Sequence, residues 1–436
     1  MYLTFCVINN STININMIKI LQISDIHFHA FPGDDEDEYR NMRQKFLEDL
    51  DYVREHISPI DTILICGDIA FSGKKEEYDV ARGFIKEILI KLTKDGKQPN
   101  VFTVPGNHDK DRSVYEETRY VLNKILTSDK SSDANVFINK IRKSENETLK
   151  ILYAPLTEYN SFASDFSSID DVAASIIKGE SLESKKVTYS RTIGTLGDYT
   201  VSLHGLNSTL SSDRYDSSIT DREKSHKLFL PKIAYNQVRT KNDIFVSVVH
   251  HPIEDFLINA SNITEKFDNL YHIQLFGHIH KQSSMADSNI KIYSGALQPD
   301  EQDETDYFPV YNIITLDVVD SLLSVEIISR KWNGSQFEMY PKGAANHTIS
   351  LAPKDTWSPD EKAKSATSKQ EVFDMDNKYK IQKRFLDCEL SKKKSVMKSF
   401  GFEYDKGKKE ISNSLLFIES IEKDNKWSEL SEKLKI

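Results

Sequence analysis

The stretch IKILQISDIHFHA, Ile18–Ala30, sets an apolar, β-branched run against Asp25, His27 and His29. A short run of this kind predicts a strand buried on both faces, an inner strand of a layered sheet. A strand end needs neither a carboxylate nor two imidazoles in order to fold. In extended geometry residues two apart point to one side, so Asp25 and His27 can serve one metal ion. Further ligands must then come from elsewhere in the 436 residues.

Comparable runs occur at Thr62–Cys66, Asn100–Val104, Tyr199–Leu203, Ile244–Val249 and Ile273–Phe276, with Cys66 read as a buried strand residue. Between the early ones lie helical patterns. Met42, Phe46, Leu50 and Val53 share one face, as do Tyr78, Ala81, Ile85 and Leu89. The order β-α-β-α-β predicts an α/β domain with right-handed crossovers. Residues 113–185 are rich in helix formers and serine and predict a helical insertion, its aromatic part Tyr153–Phe166 packing over a neighbouring surface. Strands return at 187–204, with Gly194 and Gly197 marking a hairpin turn. Alternation over Tyr311–Trp332 predicts a second hairpin turning near Asp320.

These shifts divide the chain into a dispensable extension at 1–16, a domain at 17–335, and a linker with a charged, helix-like extension at 336–436. Met17 opens the folded part, and Met1 and Met17 both stand as translation starts. Hydrophobic residues make up 39%, charged residues 28%, and the net charge is -10, a soluble composition that disfavours a general nucleic-acid or membrane-surface binder. Three widely spaced cysteines imply no disulfide framework and a reducing, cytoplasmic setting. No apolar run is long enough to span a membrane, and the N-terminus lacks the pattern of a signal peptide.

Most of the motifs follow apolar runs: SDIHFH, CGDIAFSG (Asp68), VPGNHDK (Asn107, His108, Asp109), VVHHP (His250, His251) and LFGHIHK (His278, His280). Loops at the carboxyl ends of strands in a layered α/β sheet converge on one crevice. Carboxylate, amide oxygen and imidazole suit zinc, manganese, iron or nickel. Cysteine is absent from the ligand positions, against a structural zinc site, and the imidazoles argue against calcium. Seven groups exceed one tetrahedral ion and fit two ions about 3.5–4 Å apart, with Asp68 the natural bridge. Gly67, Gly106 and Gly277 precede ligands, where close backbone approach is needed.

The ordered set DIH, GD, GNHD, HHP and GHIH resembles the calcineurin-like metallophosphoesterases over roughly residues 18–335. The resemblance implies a four-layer α/β/β/α sandwich rather than a simple open sheet. It implies one metal held by Asp25, His27 and His280, a second by Asn107, His250 and His278, and Asp68 bridging both. His108 would face the phosphate and assist the leaving group, with Asp109 orienting it. His250 rather than His251 aligns with the family ligand. The implied chemistry is in-line hydrolysis of a phosphate ester by a metal-bridging hydroxide. GDIAFSG without a following arginine departs from the protein phosphatases, and GDIAFSG with GNHD is most similar to the cyclic-nucleotide phosphodiesterase-like bacterial branch. A nucleotide-type phosphodiester is therefore the expected substrate, with phosphomonoesters also open. A nuclease guided by the insertion and tail, and a non-catalytic scaffold, are the alternatives.

Other histidines are read more plainly. His29, His204 and His251 are candidates for places behind or beside the ligands, while His56, His226, His272 and His347 default to surface or packing roles. The acidic run Gly33–Arg40 lacks calcium-loop spacing and reads as a solvated loop. The basic stretch Leu390–Glu410 reads as a solvated helix face, with a nucleic-acid contact as the sharper alternative.

Overall fold

Ile18 and Ile20 face one hydrophobic layer, and Leu21 and Ile23 face another. That alternation is what a strand buried on both sides requires. The chain was examined as a computed structural model, which describes residues 17–30, 39–57, 59–115, 118, 122–123, 126–127, 131–143, 147–212, 228–257, 260–298, 308–351, 380–407, 410–424 and 426–435. The N-terminal extension, residues 33–38 of the acidic run, His226 and residues 352–379 of the linker lie outside these.

The first sheet contains β1 (Ile18–Ile23), β2 (Thr62–Ile65) and β3 (Asn100–Thr103). The second is built from β4 (Thr188–Leu196), β5 (Tyr199–Leu206), β6 (Asp243–Val249), β7 (Ile273–Phe276), β8 (Ser283–Ala286) and β9 (Ile290–Tyr293). Back in the first sheet are β10 (Val310–Val319), β11 (Leu322–Trp332), β12 (Phe337–Met339) and β13 (Ala345–Ser350). The first sheet runs β12-β11-β10-β1-β2-β3, with β13 also on β11, and the second runs β4-β5-β6-β7-β9-β8. β1, β2 and β3 are parallel, as are β5, β6 and β7, so each trio delivers its carboxyl ends to one side.

Four layers result. Helix α1 (Arg40–His56) and helix α2 (Lys75–Leu92) cover the outer face of the first sheet through Met42, Phe46, Leu50, Val53, Tyr78 and Ile85. Burying each such aliphatic or aromatic side chain contributes roughly 1.5–3 kcal/mol. Glu77 fixes the start of α2 by accepting from the Ser72 hydroxyl (2.7 Å) and the Lys74 N–H (2.9 Å). Between the sheets, Ile20, Leu64 and Val104 meet Leu203, Val246 and Leu275. On the far face of the second sheet, Phe245, Phe267 and Phe276 share a core with the helices of the insertion and of the C-terminal extension.

The insertion is helical as expected, with helices at Ser131–Lys143, Glu147–Tyr153, Thr157–Ser164 and Asp171–Lys178. Its Tyr159 and Phe162 pack against the α2 side of the first sheet. In the first hairpin Gly197 (φ +55°) occupies the turn, whereas Gly194 sits at a bulge in β4, its missing side chain leaving room for Ile18. The second hairpin turns at Asp320 and Ser321, both with positive φ. The first sheet continues through β12 and β13 to Ser350, past residue 335. No helix among the described residues is long and apolar enough to cross a membrane.

Candidate metal centre

Each strand of the two parallel trios except β5 hands over to a motif, and backbone bonds stitch those loops together. Asp25 N–H donates to Gly67 O (3.0 Å), and Gly277 N–H donates to His250 O (3.0 Å). Asp25, His27, Asp68, His278 and His280 all have φ between 49° and 69°. Residues other than glycine seldom adopt that backbone, and holding it costs of order 1–3 kcal/mol each. Five such residues in one crevice mark a place where the fold accepts strain to aim side chains inward. Glycine is required beside them: a Cβ on Gly67 (φ +98°) would lie 2.4 Å from His250 Nδ1, and one on Gly106 would lie 2.0 Å from Asp68 Oδ1.

The structure brings all seven expected ligands together. The candidate ligand atoms of Asp25, His27 and His280 lie within 4.8 Å of one another, as do those of Asp25, Asp68 and His250. His280 Nε2 is 3.3 Å from Asp25 Oδ1. His250 Nε2 is 3.2 Å from Asp68 Oδ2 and 3.2 Å from Asn107 Oδ1, while its Nδ1 is 2.7 Å from Cys66 O. Asp68 Oδ2 is 4.0 Å from His27 Nε2, so this carboxylate lies between both groups. His278 is tied to the first group through its N–H, which donates to Asp25 Oδ2 (3.2 Å), and its ring is 5.1 Å from that of His250.

Burial and neighbouring charge set the protonation states. Burial pulls His27 and His278 down to about 3, leaving them neutral. Burial also opposes the charge on Asp25 and Asp68, yet His280 holds Asp25 below the usual range and His250 holds Asp68 well below it. His250 is pulled down by burial but carried up to about 9 by Asp68. Ionised carboxylates beside the neutral His27 and His278 are what metal ligation demands, while His250, protonated beside Asp68, would give up its proton to a cation. Among the described residues, neither ring nitrogen of fully buried His27 has a hydrogen-bond partner, nor does Asn107 Nδ2. A buried imidazole left so is costly, and a cation on it removes the cost. The residues present therefore fit divalent cations.

His108 projects its partly open side chain beside this cluster, its ring 4.6 Å from that of His27. Its Nδ1 is 2.8 Å from Phe71 O, and its N–H donates to Asp68 Oδ1 (2.8 Å). The Asp109 carboxylate accepts from the N–H of Ala70 (2.9 Å) and Gly106 (2.9 Å) and from the Tyr78 hydroxyl (2.9 Å), binding the Asp68 loop to the Asn107 loop. Burial and nearby Asp68 push it up to about 7, against those hydrogen bonds.

The three neighbouring histidines separate. His251 is buried, a ring nitrogen within 4.8 Å of ligand atoms of His250 and His278, its Nδ1 2.8 Å from Ser208 Oγ and its ring 4.5 Å from that of His278. His29 stacks on Phe71 at 4.0 Å, at the edge of the site. His204 is not brought to the crevice: its ring packs on Phe245 and Tyr271 under the outer helices. The sequence reading missed Phe71, Tyr78 and Ser208 as supports, and fully buried Lys110, whose Nζ donates to Thr209 O (2.6 Å) and Ser212 O (2.9 Å). Lys110 stands next to GNHD, which was its one available signal.

The calcineurin-like phosphoesterase family model matches residues 18–282. No curated protein matches the sequence. Among solved structures, the chain is similar to a dimetal phosphatase from Danio rerio, with 11% identity and a TM-score of 0.41, covering 77% of this chain and 99% of that one. It is similar to Vps29 complexed with zinc from Entamoeba histolytica, with 14% identity and a TM-score of 0.29, covering 77% and 99%. It is also similar to a purple acid phosphatase from yellow lupin (Lupinus luteus), with 13% identity and a TM-score of 0.39, covering 77% and 54%.

Proposed function

The chain belongs to the calcineurin-like phosphoesterase family, and on that premise we propose that it hydrolyses a phosphodiester of nucleotide type with two divalent cations. Asp25, His27 and His280 would hold one cation, Asn107, His250 and His278 would hold the other, and Asp68 would serve both. The observation that carries this reading is the position of Asp68, its carboxylate 3.2 Å from His250 and 4.0 Å from His27. When bound, such a pair supplies Lewis acidity toward phosphoryl oxygens and activates water. Manganese, iron, zinc and nickel all suit this mixed set of oxygen and nitrogen donors.

The chain's own residues do the rest. His108 Nδ1–H donates to Phe71 O, so Nε2 is the nitrogen that exchanges protons with substrate. A protonated His108 Nε2 delivers its proton to the departing alkoxide and leaves the ring neutral, with Nδ1–H still on Phe71 O. Asp109 and Tyr78 keep the two loops in register, so that Asp68, Asn107 and His108 act from fixed places. Nucleotide specificity is supported by the GDIAFSG and GNHD motifs, and a cytoplasmic setting by the few, widely spaced cysteines.

The test is an assay of the full chain with manganese against bis(p-nitrophenyl) phosphate, cyclic nucleotides and single-stranded DNA. Turnover of the small diesters supports the proposal, and preference for DNA moves it to a nuclease. Two bound metals with no turnover of any substrate would leave a scaffold. Full activity in an Asp68→Ala variant is incompatible with a carboxylate shared by both cations.

A further inference from the structure

Lys110 is 1% exposed, the deepest lysine among the described residues. Its ammonium donates to three backbone carbonyls of one short segment: Thr209 O (2.6 Å), Ser212 O (2.9 Å) and Leu210 O (3.3 Å). Taking an ammonium out of water is expensive unless its donors are met. This chain accepts that expense immediately after Asn107, His108 and Asp109. The segment it grips follows β5, whose last residue Leu206 pairs with Val249 at the end of β6. The loops after β5 and β6 are therefore neighbours. Asn207 keeps the segment turned by accepting from the Thr209 N–H (2.8 Å) and hydroxyl (2.8 Å). Ser208, fully buried between them, meets His251 twice: its Oγ is 2.8 Å from Nδ1 and accepts the His251 N–H at 3.4 Å. The His251 ring in turn lies 4.8 Å from the His250 ring and 4.5 Å from the His278 ring.

We propose that Lys110 is a positioning residue for one half of the metal centre: its ammonium fixes the segment after β5, Ser208 thereby fixes His251, and His251 braces His250 and His278. The inference rests on the reading that these two imidazoles hold a cation. Groups that orient metal ligands from behind typically matter 10–100-fold in metal affinity. The His251 ring packs on His250 and His278, so its loss acts chiefly on the cation those two would hold.

The experiment is a calorimetric manganese titration of the full, metal-stripped chain as wild type, Lys110→Met, Ser208→Ala and the double variant. Wild type gives two binding events. Lys110→Met weakens one of them about 10–100-fold and leaves the other nearly unchanged. Ser208→Ala weakens that same event, and the double variant is no weaker than Lys110→Met, because the two residues act in one series. Equal weakening of both events, or losses that multiply in the double variant, overturns the proposal. Where Lys110→Met does not fold, Ser208→Ala decides alone: selective weakening supports the brace and unchanged binding overturns it. A wild type that binds no manganese overturns the two-cation reading and this inference with it. Normal wild-type binding with unaffected variants overturns this inference alone.

Discussion

Within the crevice the division of labour predicts separable losses. His108 is bonded through Nδ1 to Phe71 O, and although a ring nitrogen lies within 4.8 Å of ligand atoms of His27 and Asp68, the proposal gives it to the substrate rather than to a cation. His108→Ala therefore lowers kcat by about 10²–10⁴-fold while two manganese ions still bind, measured by steady-state assay and metal analysis of the same sample. Gly67→Ala acts differently. It forces a Cβ to within 2.4 Å of His250 Nδ1 at a φ of +98°. We expect a stability loss of at least about 1 kcal/mol, read by urea unfolding, together with weakened metal binding. The residues that meet in the crevice were legible because they sit in ordered motifs that directly follow apolar runs. His204 was not, because its place depends on strand parity: Val201 and Leu203 face the other sheet, and His204 faces the helices. Lys110 was illegible for another reason, since burial of a lysine leaves no trace in local sequence pattern.

Helices and strands show a second lesson, about polar contacts that cross layers. Asp49 on α1 receives Arg330 of β11 (Nε to Oδ2, 2.6 Å) and the hydroxyl of Tyr311 on β10. Arg330 and Tyr311 are both buried, so removing the carboxylate strands a guanidinium under α1. Asp49→Ala is expected to cost about 3–5 kcal/mol, measured by urea denaturation with the slope unchanged. The inner strands and both hairpins were readable from their apolar runs and alternation. β12 and β13 were not, and their region was read as a linker. Their residues are largely exposed and polar, because they add to a strand that already has its buried face covered. Gly194 misled in the same way: a glycine at a bulge and a glycine in a turn look alike in sequence.

For the molecule as a whole, buried imidazoles are an electrostatic load on the fold, and pH reveals it. His27, His278 and His204 have folded-state pKa values depressed to about 3, 3 and 4. Their contribution is present above the unfolded value of 6.5 and is lost as pH falls through that range. His250 is raised to about 9, so its contribution is present below 6.5 and lost as pH rises toward 9. Thermal melts in chelator should thus give a higher Tm at pH 6.5 than at pH 4.5 or pH 9. Manganese at about 100 times its dissociation constant should add roughly 2.7 kcal/mol per occupied site at neutral pH, seen as a rise in Tm that chelator reverses. The pairing of β1 with both β2 and β10 has a further consequence, for biosynthesis. Asp25 reaches His278 across 253 residues of chain. At about 5–20 residues per second, the ribosome separates the two by roughly 13–50 s. Through that interval the nascent chain carries half of a cation-binding crevice with no opposite wall, and non-local closure of this kind is slow to form.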